Sequence, residues 1–110
     1  MNGGLDELTQ RLRTFAAERD WERFHTPKNL ASALIVEAAE LLEHFQWLTP
    51  EQSRELEAKQ RTEVAHELAD VLIYLTRLAD VLGVNLLDAA EKKIALNAQK
   101  YPVPKPNARD

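Results

Sequence analysis

The side chains that could carry out chemistry are two pairs of acidic residues, each pair inside an otherwise apolar run of the chain. The four residues are Glu37 and Glu40 in the segment 34–42, and Glu67 and Asp70 in the segment 64–75. The acids of each pair are three residues apart, which makes them neighbours on one face of a helix. Because an isolated ionised carboxylate is costly in apolar surroundings, either one acid of each pair holds a proton or cations lie between the two helices.

The second alternative predicts a metal site, and the type of ligand indicates which metal. A set made only of carboxylates selects a hard cation, Mg²⁺ or Mn²⁺, over zinc or copper. Such a cation can activate a water molecule and neutralise charge on a phosphoryl group. Since the chain has no cysteine and no nucleophilic serine near the acids, the pattern favours metal-assisted attack of water on a phosphate ester or anhydride. As the base toward that water, Glu40 is favoured over Glu43 because it lies deeper in the apolar run.

A second metal chemistry stays open because of His66. The segment Glu63-Val-Ala-His66 has the Glu-x-x-His spacing of the carboxylate-bridged di-iron bundles. Those bundles need two copies of the element, and His44 follows Glu43 directly, which is the wrong spacing. The di-iron site is therefore the minor alternative, and the other interpretation of His66 is an exposed or hydrogen-bonded surface residue.

Helices must position the acids, and four long ones are predicted. They run over about residues 5–19, 27–46, 63–83 and 85–101. Helix start signals are present at Thr26-Pro27, Thr49-Pro50 and Asn85, and Gly83 suits a helix end. The polar stretch 51–62 is expected to be an exposed turn of helix or a connector. No segment has the alternation of a strand, so the predicted fold class is all-α, a four-helix bundle.

The third of these helices is apolar almost all round. One broad face, predicted to pack in the core, consists of Val64, Leu68, Val71, Leu72, Leu75 and Leu78. Three neighbouring helices in so small a chain cannot cover a helix this apolar. This excess of apolar surface indicates an oligomer.

Length and composition predict one globular domain, residues 1–102, followed by a Pro-rich tail, 103–110, that is expected to be flexible. The net charge of −4 argues against a nucleic-acid polymer or an anionic membrane surface as a partner. No apolar run approaches the length of a membrane span, and the N-terminus lacks the pattern of a signal peptide. We therefore expect a cytoplasmic protein.

Two further regions could bind a ligand or could be simple structure. The loop residues Trp21, Phe24 and His25 either pack or line a pocket for a flat ligand. In the last helix, Lys93 and Asn97 are four residues apart, and either they are solvated or they point toward a triphosphate.

Six segments in order resemble a known family. They are 20–25 (DWERFH), 27–30 (PKNL), 37–40 (EAAE), 45–47 (FQW), 67–74 (ELADVLIY) and 97–102 (NAQKYP). In these segments the chain resembles the MazG-like all-α nucleoside triphosphate pyrophosphohydrolases, and within that family the dCTP pyrophosphatase branch. The resemblance covers about residues 15–102.

The resemblance implies both a reaction and a site. Mg²⁺, or Mn²⁺ in its place, would be held by the catalytic acids Glu37, Glu40, Glu67 and Asp70. The reaction would be hydrolysis of a nucleoside triphosphate, dCTP or a modified dCTP, to monophosphate and pyrophosphate, which removes unwanted nucleotides from the cellular pool. Lys93 and Asn97 would reach the triphosphate, while the base and sugar pocket would be formed by Trp21, His25, Asn29, Trp47 and Tyr74. The family assembles as dimers or dimers of dimers, so a homodimer or homotetramer is expected.

Two other functions remain alternatives at this stage. The same chemistry could act on another nucleotide such as dUTP. From a different class, the chain could be a non-catalytic helical dimerisation or nucleotide-binding module whose acids are surface charges.

Overall fold

The fold is helical throughout the part that the structure, a computed structural model, describes, which is residues 3–105. Its α-helices are α1 (Leu5–Glu18), α2 (Pro27–Glu43), α3 (Pro50–Arg54), α4 (Ala58–Leu82) and α5 (Leu86–Lys100), and a 3₁₀ turn at Glu22–Phe24 lies between α1 and α2. No strand occurs in this range. The predicted all-α class is confirmed. The expected flexibility of the tail falls largely on residues 106–110, which lie outside the described range.

The predicted helix start signals are confirmed. The side-chain oxygens of Thr26, Thr49 and Asn85 each accept a backbone N–H from the first turn of the helix that follows. At Thr49 the cap is reciprocal, because Gln52 Oε1 accepts the Thr49 N–H at 2.9 Å. At the other end of α4, Gly83 adopts a φ of 71°, a left-handed conformation that glycine takes without steric cost.

Two helix boundaries differ from the prediction. The second long helix ends at Glu43, and the residues up to Leu48 form turns. The third begins at Ala58, where residue 63 was expected. Residues 59–62 are polar, so the hydrophobic periodicity that predicts a helix is missing there. Ala, Lys, Gln and Arg are nevertheless good helix formers, and the helix extends through them.

The core of the chain lies between α4 and the two helices that pack on it. Helix α2 packs along α4, and α1 packs against α4 over a shorter stretch. The fully buried apolar side chains come from these three helices and are Ala16, Leu30, Val64 and Ala79. Leu30, at 1% exposure, is the most deeply enclosed of them.

Helix α5 does not join this core. It has no buried residue, and its contacts with the other helices are marginal compared with those between α2 and α4. The radius of gyration is 18.1 Å, against about 13 Å for a compact chain of this length. The four long helices therefore form a packed group of three with α5 extending from it.

The predicted core face of α4 is only partly buried. Val64 is buried, but Leu68 is 53% exposed, Leu72 41% and Leu75 37%. The prediction that these leucines pack in the core of the chain is wrong, because α5 does not cover them. The buried residues near the end of α4 are Thr76, Arg77 and Ala79. No helix within residues 3–105 is both long and apolar enough to cross a membrane.

Candidate active site

The packing of α2 on α4 brings acids from both predicted pairs together. Glu37 of α2 and the α4 residues Glu67 and Asp70 each offer a carboxylate oxygen, and these three oxygens lie within 4.8 Å of one another. All three side chains are partly buried. The fourth predicted acid, Glu40, is not one of this group of three but lies next to Glu67, close enough to share a proton with it. We call Glu37, Glu67 and Asp70 the acidic cluster.

Glu37 carries the largest electrostatic perturbation in the cluster. The pKa of its carboxyl group is raised from 4.5 to about 7, and burial is the largest cause. Sharing of a proton with Asp70 and repulsion from the carboxylates of Glu40, Asp70 and Glu67 contribute the rest of this rise. Without a cation, Glu37 is therefore close to half protonated at neutral pH.

The pKa of Glu67 is raised as well. Burial is again the main cause, followed by repulsion from Glu40 and Asp70. The electrostatic effect of His44, which follows the end of α2, opposes this rise in the pKa of Glu67. No function was predicted for His44 from the sequence, because its spacing from Glu43 does not fit a metal motif. The fold nevertheless brings His44 near the acidic cluster.

One oxygen of the cluster has no partner in the described part of the chain. Glu67 Oε2 is buried and accepts no hydrogen bond. A buried carboxylate oxygen without a partner is unfavourable. A divalent cation bound by carboxylate oxygens would satisfy this atom and would remove the repulsion that raises the pKa values of Glu37 and Glu67.

A cavity of about 370 Å³ lies beside the cluster, between α1, α4 and the loop that follows α1. Its wall includes Asp70 of the cluster and three of the predicted pocket residues, Trp21, His25 and Tyr74. The rest of its lining is mostly apolar and consists of Leu8, Arg11, Leu12, Phe15, Ala16, Ile73 and Arg77. This volume and lining are typical of a site for a small, largely flat molecule.

The turn after α1 places the aromatic part of this wall. Asp20 has a φ of 56°, a conformation that aspartate adopts more readily than most residues. The chain then folds back so that the Trp21 N–H donates to the Ala16 carbonyl at 2.9 Å. The Trp21 ring thereby meets Phe15 edge to face at 5.6 Å between ring centroids, and His25 at 6.0 Å. Of the loop aromatics, Trp21 and His25 line the cavity, and Trp21 also packs on Phe15. Binding of a ligand by these residues stays a prediction.

A buried polar network lies against the back of the cavity. Arg77 is 7% exposed, and its Nε donates to His25 Nδ1 at 3.1 Å. A terminal nitrogen of the same guanidinium donates to Asp80 Oδ2 at 3.1 Å. Arg13 of α1 also donates to Asp80 Oδ2, at 2.8 Å. Sequence reasoning missed this network, although an Arg and an Asp three residues apart in an apolar helix are a weak signal of a buried ion pair.

Four of the seven residues predicted to bind the substrate do not line this cavity in the single chain. Asn29 is exposed, and its amide donates to the Phe24 carbonyl at 2.9 Å, which closes the loop. Trp47, beyond the end of α2, is 85% exposed. Lys93 and Asn97 lie exposed on α5, the helix that extends from the packed group. Their roles in binding substrate stay predictions.

The Glu-x-x-His element of the di-iron alternative does not join the acidic cluster. Glu63 and His66 are both exposed, and neither belongs to the group of acids that could hold a metal among the described residues. Glu43, which the sequence assigned to a solvated position, is exposed as well.

The fold and the cluster together define a class of protein, an all-helical domain with a group of carboxylates that could hold a metal ion. The model of the MazG-like family matches residues 33–109. The chain belongs to the MazG-like family.

Curated relatives extend the match over most of the chain. It is 44% identical over 101 residues to dCTP pyrophosphatase 1 of Rattus norvegicus, covering 90% of this chain and 59% of that protein. Against dCTP pyrophosphatase 1 of Homo sapiens the identity is 42% over 100 residues, covering 89% of this chain and 59% of the relative. This chain thus spans less than two thirds of the length of these relatives. The resemblance predicted from the sequence is confirmed.

A solved structure agrees over nearly its whole length. The crystal structure of a pyrophosphatase from Archaeoglobus fulgidus DSM 4304 superposes with a TM-score of 0.87 at 42% sequence identity. The alignment covers 94% of this chain and 96% of that one. The helical arrangement described above, including the course of α5, is therefore that of a folded relative of similar size.

Proposed function

We propose that this protein is a Mg²⁺-dependent nucleotide pyrophosphohydrolase that cleaves dCTP, or a modified dCTP, to monophosphate and pyrophosphate, and so removes that nucleotide from the cellular pool. The observation that carries the proposal is the position of Asp70. This residue belongs to the acidic cluster and also lines the cavity with Trp21, His25 and Tyr74. A nucleotide whose flat base lies in the cavity would have its phosphates directed to the acidic cluster. The name dCTP pyrophosphatase 1, carried by relatives at 42–44% identity, supports the choice of substrate.

The donor set fits Mg²⁺, with Mn²⁺ as a substitute. All of its donors are carboxylate oxygens, which bind hard cations in preference to soft ones. Glu67 Oε2 makes no hydrogen bond in the described part of the chain and is therefore free to bind the cation. Glu37, Glu67 and Asp70 would hold the cation, with Glu40 beside them. When bound, the cation would lower the pKa of a water molecule and neutralise charge on the phosphoryl oxygens.

The chain's own residues would carry the remaining steps. Trp21 and Tyr74 would bind the base, and the apolar lining would exclude water from it. Glu40, next to Glu67, would accept a proton from the attacking water. The water oxygen then forms a bond to the α-phosphorus, the bond between this phosphorus and the bridging oxygen breaks, and pyrophosphate leaves with the electron pair.

We propose further that the working protein is a homodimer or homotetramer. Exposed apolar side chains in the single chain include Leu68 and Leu72 on α4, Ile35 and Leu42 on α2, and Ile94 and Leu96 on α5. So many large apolar side chains exposed in a single chain indicate that a second copy covers part of them. In such an assembly the α5 of a second copy would bring Lys93 and Asn97 to the phosphates. The cytoplasmic location stays a prediction from the sequence.

Product analysis tests the proposal. Purified protein is incubated with Mg²⁺ and each canonical dNTP and NTP separately, and pyrophosphate is resolved from orthophosphate. We expect pyrophosphate and monophosphate, with dCTP as the best substrate, and loss of both products on chelation. Pyrophosphate mainly from another nucleotide, such as dUTP, would contradict the substrate but keep the reaction. No product from any canonical or modified nucleotide would contradict the reaction and favour a non-catalytic module.

A pair of matched variants tests the site. Glu67→Gln should abolish turnover because it removes a ligand charge from the cluster, while circular dichroism shows the helical fold intact. Glu43→Gln changes an exposed acid of α2 in the same way and should leave turnover unchanged. Wild-type rates in Glu67→Gln, or equal losses in both variants, would refute the assignment of the metal site.

A further inference from the structure

The hydrogen bond between Arg77 and His25 determines which nitrogen of the imidazole carries the proton. A guanidinium is always charged and only donates hydrogen bonds. Since Arg77 Nε donates to His25 Nδ1 at 3.1 Å, Nδ1 must be the acceptor. The imidazole is then neutral, and its proton resides on Nε2.

Two further observations support a neutral imidazole. Burial of the His25 ring lowers its pKa, and the positive charge of Arg77 lowers that pKa further. Arg77 itself cannot move away easily, because it is 7% exposed and its guanidinium is also bonded to Asp80. His25 Nε2–H donates to no group in the part of the chain that the structure describes, although the ring lines the cavity. The donor is therefore available to a ligand.

We propose that Arg77 is a positioning residue that holds His25 as the neutral Nε2–H tautomer, so that His25 donates a hydrogen bond to an acceptor atom of the nucleobase in the cavity. The proposal rests on the proposed function, because it takes the cavity as the site of the base. The Trp21 ring, 6.0 Å from that of His25 between centroids, provides the adjoining aromatic surface for the base. Arg77 lines the cavity beside His25, so the two residues form one unit of its wall.

This arrangement would select among bases. A carbonyl oxygen or an unprotonated ring nitrogen opposite Nε2 is matched by the donor. An amino group at the same place would face the Nε2–H, and two donors cannot bond to each other. Both would then have lost their hydrogen bonds to water without replacing them. The substrate class is therefore a base that presents an acceptor at the histidine side of the cavity.

The tautomer is measured directly by NMR on the free protein. In protein labelled with ¹⁵N in its histidines, long-range proton–nitrogen correlations distinguish a protonated from an unprotonated ring nitrogen. Three histidines are present, and His25→Gln identifies the signals of His25. We expect His25 to have a proton on Nε2 and none on Nδ1 at neutral pH. In Arg77→Met we expect this single tautomer to give way to a mixture. A wild-type His25 with its proton on Nδ1 would overturn the proposal.

Kinetics with dCTP test the role in binding. Arg77→Met should raise KM about twofold, because about half of the His25 population then lacks the Nε2–H donor, while kcat changes little. Arg77→Lys, which keeps one charged donor, should recover part of this loss. Arg13→Met is the matched control, because Arg13 also bonds Asp80 but neither touches His25 nor lines the cavity. It should leave KM and the tautomer unchanged. Equal effects of Arg13→Met and Arg77→Met would show a merely structural role and overturn the proposal.

Failure of the proposed function would be recognised separately. If wild-type protein hydrolyses no dCTP, the product dCMP is titrated into the labelled protein. If dCMP shifts the His25 Nε2–H signal in the wild-type protein and shifts it less in Arg77→Met, the donor role of His25 is supported. Only the proposed reaction is then refuted. No shift at millimolar dCMP would overturn the proposal.

Discussion

The proton on Glu37 should compete with Mg²⁺ for the acidic cluster. Metal ligands must be ionised, and the pKa of Glu37 in the metal-free protein is raised to about 7. With that pKa, the ionised fraction of Glu37 rises from about 9% at pH 6 to about 91% at pH 8. The apparent association constant for Mg²⁺ should therefore increase about tenfold over this range. Binding at pH 6 should release about one proton per cation.

Isothermal titration calorimetry with MgCl₂ measures both quantities. Titrations at pH 6, 7 and 8, in buffers of different ionisation enthalpy, give the affinity and the number of protons released. Glu37→Gln should bind Mg²⁺ more weakly at pH 8, and its affinity should rise less between pH 6 and 8, since only the raised pKa of Glu67 then remains. Glu43→Gln, with an exposed acid of the same helix changed, should behave as wild type. A wild-type affinity that is constant between pH 6 and 8 would refute the reasoning.

The same proton affects the stability of the metal-free protein. Because the pKa of Glu37 is higher in the folded state than its ordinary value of 4.5, the folded state binds the proton more tightly than the unfolded state does. This contribution to stability is fully present below about pH 4.5 and is lost as the pH rises through about 7. In the presence of EDTA, Tm should thus fall between pH 5 and 8, and less so in Glu37→Gln. Excess Mg²⁺ should restore Tm at pH 8. A Tm in EDTA that rises over this range would contradict the assigned pKa.

Two other predictions concern packing and assembly. Leu30→Ala should lower the free energy of unfolding by about 2–5 kcal/mol, since Leu30 is 1% exposed; thermal unfolding would show a fall in Tm of about 10–20 °C. Leu82→Ala, at a position 56% exposed in the last turn of α4, is its control, and equal losses would contradict the described core. Leu68→Lys places a charge on the exposed face of α4 and should shift the protein toward the monomer in sedimentation. An unchanged oligomeric state, or a wild-type monomer, would exclude this face as the interface.

Local features of the fold could be predicted from the sequence because their causes are local. A cap at Thr26, Thr49 or Asn85 depends on residues within one turn of the helix, and all three are present. The acidic cluster could be predicted in part for a related reason. Two acids on one face of an apolar helix need compensation for their charges. In this sequence a second apolar helix carries an acidic pair of the same kind, so the two helices were expected to pack with their acids facing each other. Glu37, Glu67 and Asp70 do lie together.

The course of α5 could not be predicted in the same way. Hydrophobic periodicity shows that a helix has an apolar face but not which element covers it. The face of α4 around Leu68 and Leu72 was expected to be covered within the chain, yet it is exposed there. The excess of apolar residues predicted an oligomer, and this stays a prediction, to which the exposed apolar side chains of α2, α4 and α5 now belong.

Arg77 shows why a buried site can escape a reading based on spacing. Its partner His25 is 52 residues away in the chain, and Asp80 meets Arg13 from 67 residues away. A charge within an amphipathic helix is usually solvated, so periodicity assigns such a residue to the surface. Yet α4 is apolar nearly all round, and a charge on a helix of that kind has to be paired or to reach a ligand. The i,i+3 pair of Arg77 and Asp80 was therefore a signal of burial, although a weaker one than the two like charges of Glu67 and Asp70, which need a partner from outside the pair. Arg77 lines the same cavity as Asp70 of the acidic cluster.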